Sequence, residues 1–131
     1  MKLEKTNLED CFILSPKMFE DERGTFSETF NAKNFLDQTG ITVTFVQDNQ
    51  STSKYGVVRG LHFQTGVHGQ AKLVRVVKGS ALDVVVDLRK GSPSFGKSFS
   101  IVLSGENKKQ LFVPRGFAHG FSVLEDDTVF A

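Results

Sequence analysis

Only one cysteine, Cys11, occurs in the 131 residues, so no disulfide can close within the chain. A lone thiol suits a reducing compartment and excludes the disulfide-stapled class of small secreted domain. Tryptophan is absent, and tyrosine occurs once, at Tyr55. No apolar run approaches the ~20 residues that a membrane-crossing helix needs. The segment from Met1 to Asp10 alternates charged and apolar residues and has no hydrophobic signal segment. Neither sign of charge prevails: 16 Lys and Arg stand against 15 Asp and Glu, for a net charge of +1. Without a basic stripe a nucleic-acid backbone is not the expected partner, and without an apolar run of transmembrane length neither is a membrane. Any anion must be held by a few placed cations. The expectation is a cytoplasmic globular domain.

What the chain does have is phenylalanine, 13 residues of it, enough to fill one barrel core at this length. Short runs with alternating apolar positions, rich in β-branched and aromatic residues, are separated by Gly, Asn, Asp and Ser. These runs predict strands at Cys11 to Ser15, Thr25 to Phe30, Thr42 to Gln47, Val57 to Gln64, Lys72 to Lys78, Ser80 to Arg89, Phe99 to Leu103, Gln110 to Val113, Phe121 to Val123 and Thr128 to Phe130. A helix is predicted over Ala32 to Thr39, with Asn31 as its N-cap and Gly40 ending it. Many short strands at this spacing point to a sandwich or barrel rather than a parallel α/β sheet.

Polar residues interrupt the apolar strand faces. Glu28 shares a face with Phe26 and Phe30. Gln47 shares one with Val43 and Phe45, and Asn49 continues that phase. His62 and Gln64 lie among Val57, Val58, Leu61 and Phe63. Lys72 leads into Leu73, Val74, Val76 and Val77, and Asp83 lies between Leu82 and Val84. Burying such groups without partners is costly. Together they predict a polar pocket inside a barrel, lined from several strands. Each has a plainer alternative. Taken singly the plainer reading leads: Glu28 as an edge charge, Gln47 and Asn49 as strand-end caps, Asp83 as a surface partner of Arg75 or Lys72, and His62 as a structural residue; the weight lies in their joint arrangement. The three histidines, His62, His68 and His119, lack metal-ligand spacing. Gln64 stands where a second histidine would make a metal-binding pair with His62, and His68 falls in a glycine-flanked turn expected to be exposed.

Several runs carry a family resemblance. Pro114-Arg115-Gly116-Phe117-Ala118-His119-Gly120-Phe121 is similar to the second cupin motif, Pro-x-Gly-x-x-His. More specific are Arg59-Gly60-Leu61-His62-Phe63-Gln64, then Phe19-Glu20-Asp21-Glu22-Arg23-Gly24 followed by Phe26-x-Glu28, and Gln47-Asp48-Asn49-Gln50-Ser51. Lys72 and Val84-Val85-Val86-Asp87-Leu88-Arg89 complete a set in register along nearly the whole chain. The set resembles the dTDP-4-dehydrorhamnose 3,5-epimerases. The resemblance implies an all-β fold, a cupin-type double-stranded β-helix or jelly-roll barrel with one or two short helices. It implies an isomerase that converts dTDP-4-dehydro-6-deoxy-D-glucose to dTDP-4-dehydro-L-rhamnose through enolate intermediates. His62 is then the base and Lys72 the cation beside the ketone oxygen. Arg23, Glu28, Gln47, Asn49, Arg59 and His119 fall at substrate-contacting positions, with Asp83 as a possible support behind them.

No metal or organic cofactor is implied, and the family is homodimeric with strands shared across the interface. In the family pattern a catalytic tyrosine follows the Thr128 to Phe130 strand, and a carboxylate that orients the base comes later still. This sequence ends at Ala131, and Tyr55 does not match the acid's position. The expectation is one cupin-like barrel over residues 1–131, truncated at its C-terminal side. Two other functions remain open: a nucleotide-sugar-binding cupin without turnover, and a related dTDP-sugar 3,4-ketoisomerase.

Overall fold

A computed structural model describes residues 1–63 and 70–131. Gln64 and His68, both considered above, lie outside the described residues. The strands in chain order are β1 (Lys2–Lys5), β2 (Phe12–Ser15), β3 (Met18–Asp21) and β4 (Gly24–Ser27). Helix α1 (Ala32–Thr39) follows, then β5 (Ser51–Ser53), β6 (Val58–His62), β7 (Lys72–Lys78) and β8 (Ser80–Asp87). The last four are β9 (Ser98–Ser104), β10 (Gln110–Val113), β11 (Phe117–Val123) and β12 (Thr128–Phe130). A six-stranded sheet runs β1-β2-β10-β7-β12-β5, and a four-stranded sheet runs β6-β11-β8-β9. All of their pairings are antiparallel. The hairpin of β3 and β4 stands apart as a two-stranded ribbon.

The two large sheets face each other because alternation gives each an apolar inner face. In β8 every second residue is buried: Ala81, Asp83, Val85 and Asp87. Ala81 and Val85 pack with Leu103 and Phe117 of their own sheet, and with Val74, Val76, Leu111, Val113 and Phe130 of the other. This is the jelly-roll barrel that the sequence implies.

The outer face of the six-stranded sheet is covered as well. Phe12, Leu14 and Phe112 meet Phe35 of α1, which is fully buried. The rings of Phe35 and Phe112 lie 4.9 Å apart, edge to face. Burying a side chain of this size contributes about 1.5–3 kcal/mol. The helix begins where the Asn31 side chain accepts a hydrogen bond from the Asn34 amide at 3.0 Å. It ends at Gly40, whose φ of 74° lets its amide bond to the Leu36 carbonyl at 2.8 Å.

Several strand expectations need correction. Thr42 to Gln47 alternates like a strand but has no ladder partner among the described residues. Its apolar phase is spent on the helix layer instead. Val43 packs on the outer cluster, and the Phe45 ring lies 5.1 Å from that of Phe30. The strand expected over Thr25 to Phe30 is β4, Gly24–Ser27, and it pairs with β3, which the sequence reading did not mark as a strand. Strands β1 and β5 were likewise unmarked. β11 begins at Phe117, four residues before the expected Phe121.

Candidate active site

The site is set by an irregularity between β6 and β11. His62 pairs with His119 and Arg59 pairs with Phe121, with a register shift between them. Three positions separate Arg59 from His62, but only two separate Phe121 from His119. The extra residue is a β-bulge, and it turns both Arg59 and His62 toward the same face. Glycine permits this at two points. Gly60 has φ +100°, and a Cβ there would meet the His119 carbonyl oxygen at 2.6 Å. A Cβ on Gly120 would meet the Arg59 carbonyl oxygen at 2.8 Å. The backbones of β6 and β11 touch where the bulge forms.

The shared face is the barrel interior. In the β8–β11 ladder His119 lies opposite Val85, and Phe121 lies opposite Asp83. His119 and Asp83 are both buried. His119 Nε2 lies 2.7 Å from Asp83 Oδ2, and no other hydrogen bond of the carboxylate is present among the described residues: Oδ1 is buried without a partner. Burial pushes the Asp83 carboxyl up, while the bond and charge of His119 and the charge of Lys72 pull the other way. The Phe121 and Phe130 rings stack at 3.9 Å, and each ring centroid lies just over 6 Å from that of His119, at 6.4 Å and 6.1 Å. Together they wall the imidazole with apolar surface.

Lys72 comes from the opposite sheet. It heads β7, in phase with the inward-facing Val74 and Val76, and is half-buried. Its partner across β10 is Val113, also part of the interior cluster. Lys72 and His62 therefore project from the facing inner walls of one barrel. β6 is the edge strand of its sheet and is exposed along its length, so the barrel is open on the His62 side. β5 is the edge of the other sheet on that same side. The Arg59 guanidinium spans the opening and donates to Ser53 Oγ at 3.1 Å and 3.3 Å.

The other expected site residues lie elsewhere in the chain. Arg23 is exposed on the β3–β4 turn, forked onto Asp21 at 2.7 Å and 3.1 Å, and its hydrogen bonds hold the Asp21 carboxyl below its ordinary value. Glu28 is exposed just after β4. Gln47 and Asn49 are exposed in the unpaired segment before β5 and bond to each other at 3.2 Å. These four do not line the interior of their own barrel, contrary to the pocket expected from strand phase. A shared face with phenylalanines was real, but that face belongs to the hairpin and the outer layer. The expected partners of Asp83 also need correction. Arg75 pairs with Gln110, on the outer face of its sheet, and the bonded partner is His119. Sequence reasoning missed that pair, although Asp83 at an inward phase of β8 was its signal.

Comparison with known proteins gives the family. The family model described as dTDP-4-dehydrorhamnose 3,5-epimerase matches residues 5–131. The dTDP-4-dehydrorhamnose 3,5-epimerase of Shigella flexneri is 54% identical over 130 residues, which is 99% of this chain and 72% of that protein. The crystal structure of the Elizabethkingia anophelis enzyme of the same name superposes with a TM-score of 0.95 at 57% identity, covering 99% of this chain and 71% of that one. A Legionella pneumophila dTDP-6-deoxy-D-glucose-3,5-epimerase, solved in complex with dTDP-4-keto-L-rhamnose, gives 0.93 at 49% identity, covering 98% and 68%. On these matches, and on a site built from the motifs that carry the resemblance, the chain belongs to the dTDP-4-dehydrorhamnose 3,5-epimerase family.

Proposed function

We propose that the chain epimerises C3 and C5 of dTDP-4-dehydro-6-deoxy-D-glucose, giving dTDP-4-dehydro-L-rhamnose. Each inversion removes a proton from a carbon next to the ketone to the base and returns one, drawn from water at the open side of the barrel, to the opposite face. The intermediate is an enolate, whose negative charge gathers on the ketone oxygen. His62 is the base, imidazole being the side chain most often used for general acid–base proton transfer. Lys72 is the cation for the enolate oxygen, and one such donor is worth roughly 3–4 kcal/mol of barrier. Their projection from facing walls of one barrel is the observation that carries the proposal. A planar enolate held between the walls meets the base and the cation at once. Arg59 at the barrel mouth is placed for the diphosphate, whose oxygens match a guanidinium fork.

The working form is a homodimer in a reducing, cytoplasmic setting. Phe19 and Phe26 of the separate hairpin are 52% and 69% exposed, and Val58 and Leu61 on the β6 edge are 70% and 57% exposed. Apolar surface of this kind on an open edge is what a second copy covers. Arg23 and Glu28 ride on that hairpin, which pairs with neither barrel sheet, and meet the ligand across the dimer. Burial pushes the Cys11 thiol up to about 12, so it stays protonated and inert.

The test is to mix the protein with the keto sugar in D2O and follow the C3 and C5 protons by NMR. Loss of both signals is the expected result. Binding without exchange would make this a nucleotide-sugar-binding barrel instead.

A further inference from the structure

Asp83 moves no proton in the reaction above, yet it is the most enclosed charge near the site, at 0% exposure. Its neighbours at the same phase of β8 are Ala81 and Val85, both in the apolar core. An aliphatic side chain would suit that position, and enclosing a carboxylate there is costly. The carboxylate is also under-partnered: Oδ2 meets His119, and Oδ1 meets nothing among the described residues. A group kept solely for the fold would be expected to have both oxygens satisfied.

We propose that Asp83 is a positioning residue of the site, taking the Nε2–H of His119 and thereby fixing which nitrogen, Nδ1, is presented to the sugar nucleotide. A neutral imidazole carries its proton on one nitrogen only, and the partner of the other nitrogen decides which. Nε2 lies 2.7 Å from an Asp83 oxygen, and an ionised carboxylate can only accept, so in the ionised pair the proton sits on Nε2. The stacked Phe121 and Phe130 rings lie together on one side of the imidazole. His119 is the ladder partner of His62, so its orientation is set directly beside the base. The negative charge of Asp83 also balances Lys72 across the barrel. The inference rests on the epimerase reading for its consequence, but not for its geometry.

Two measurements test it. In protein labelled with 15N at histidine, long-range 1H–15N correlation at neutral pH should show His119 protonated at Nε2. In Asp83→Asn, whose amide can present either a donor or an acceptor, the two tautomers should mix. Turnover of that variant should fall about 10- to 100-fold, the worth of a hydrogen bond to a charged group, with KM within about threefold of wild type. An unprotonated Nε2 in the wild-type protein would overturn the proposal, even if Asp83→Asn does not fold. So would unchanged turnover together with unchanged His119 shifts in a folded variant. If the wild-type chain exchanges no substrate protons, the epimerase reading fails, and the tautomer measurement still decides the role of Asp83.

Discussion

Asp83 and Asp87 occupy one strand, point to one face and are equally enclosed, but their surroundings are opposite in kind. Asp87 ends β8, where Ser92 Oγ and Ser94 Oγ each donate to its Oδ2 at 2.6 Å and Arg89 Nε donates to its Oδ1 at 3.0 Å. Burial works against its charge, but these bonds outweigh burial and hold the carboxyl well below the usual carboxylate range. Arg89 continues to Asp10 at 3.0 Å and to the Glu9 carbonyl at 2.7 Å, tying the segment before β2 to the β8–β9 connection. Among the described residues Asp83 has His119 as its one hydrogen-bond partner, and there burial prevails. A buried charge saturated with partners serves the fold. One left short of partners, beside a histidine and a lysine, marks the place where chemistry is done.

The comparison can be broken from either side. Lys72→Met touches only the Asp83 end. It should slow epimerisation about 100- to 1000-fold, the usual cost of losing one charge-stabilising donor, with an unchanged thermal midpoint. A large drop in that midpoint would make Lys72 a structural residue. Asp87→Asn touches only the other end and should cost about 3 kcal/mol in urea unfolding at pH 7, because it removes the charged acceptor shared by Ser92, Ser94 and Arg89. Gly120→Ala pushes a methyl group into the Arg59 carbonyl at the bulge and should cost about 2 kcal/mol. It should also remove activity by shifting His62, while leaving the Asp87 cluster intact.

The smallest effect is the most discriminating. Asp83→Asn should cost less than about 1 kcal/mol at pH 7, since burial already disfavours the charge it removes. The two aspartates also predict opposite pH trends. The folded-state value of Asp87 is depressed, so its stabilisation is present at neutral pH and is lost as pH falls below about 4 and on through that folded value. The penalty of Asp87→Asn should shrink in acid. The folded-state value of Asp83 is raised, so its contribution is present in acid and is lost as pH rises through that folded value. The penalty of Asp83→Asn should shrink toward neutral pH. Parallel pH trends in urea unfolding would contradict the contrast.

Much of this architecture was legible in the sequence. The alternation of β7 and β8 and the Asn31 and Gly40 caps of α1 are local signals, and each element formed where its residues placed it. The motif around His119 marked a residue that its sheet buries, and Lys72 shares the phase of Val74 and Val76. What stayed hidden was pairing. Thr42 to Gln47 has a strand's pattern but no partner among the described residues, and its Val43 packs on α1's layer. β1 and β5, reading Lys-Leu-Glu-Lys and Ser-Thr-Ser, are strands only because a neighbour supplies a ladder. The His119–Asp83 bond joins residues 36 positions apart, and the bulge that aims His62 exists only in the register of two strands. Phase along one strand predicts a face; it does not predict which sheet will meet it.

Solvent-deuterium incorporation by His62→Ala tests the whole account most directly. His62 projects from an exposed edge strand, so its loss should leave the thermal midpoint unchanged. Incorporation at both C3 and C5 of the keto sugar should fall below about a hundredth of the wild-type rate, the least a positioned general base is worth. Incorporation at the wild-type rate in the folded variant would take the base role away from His62.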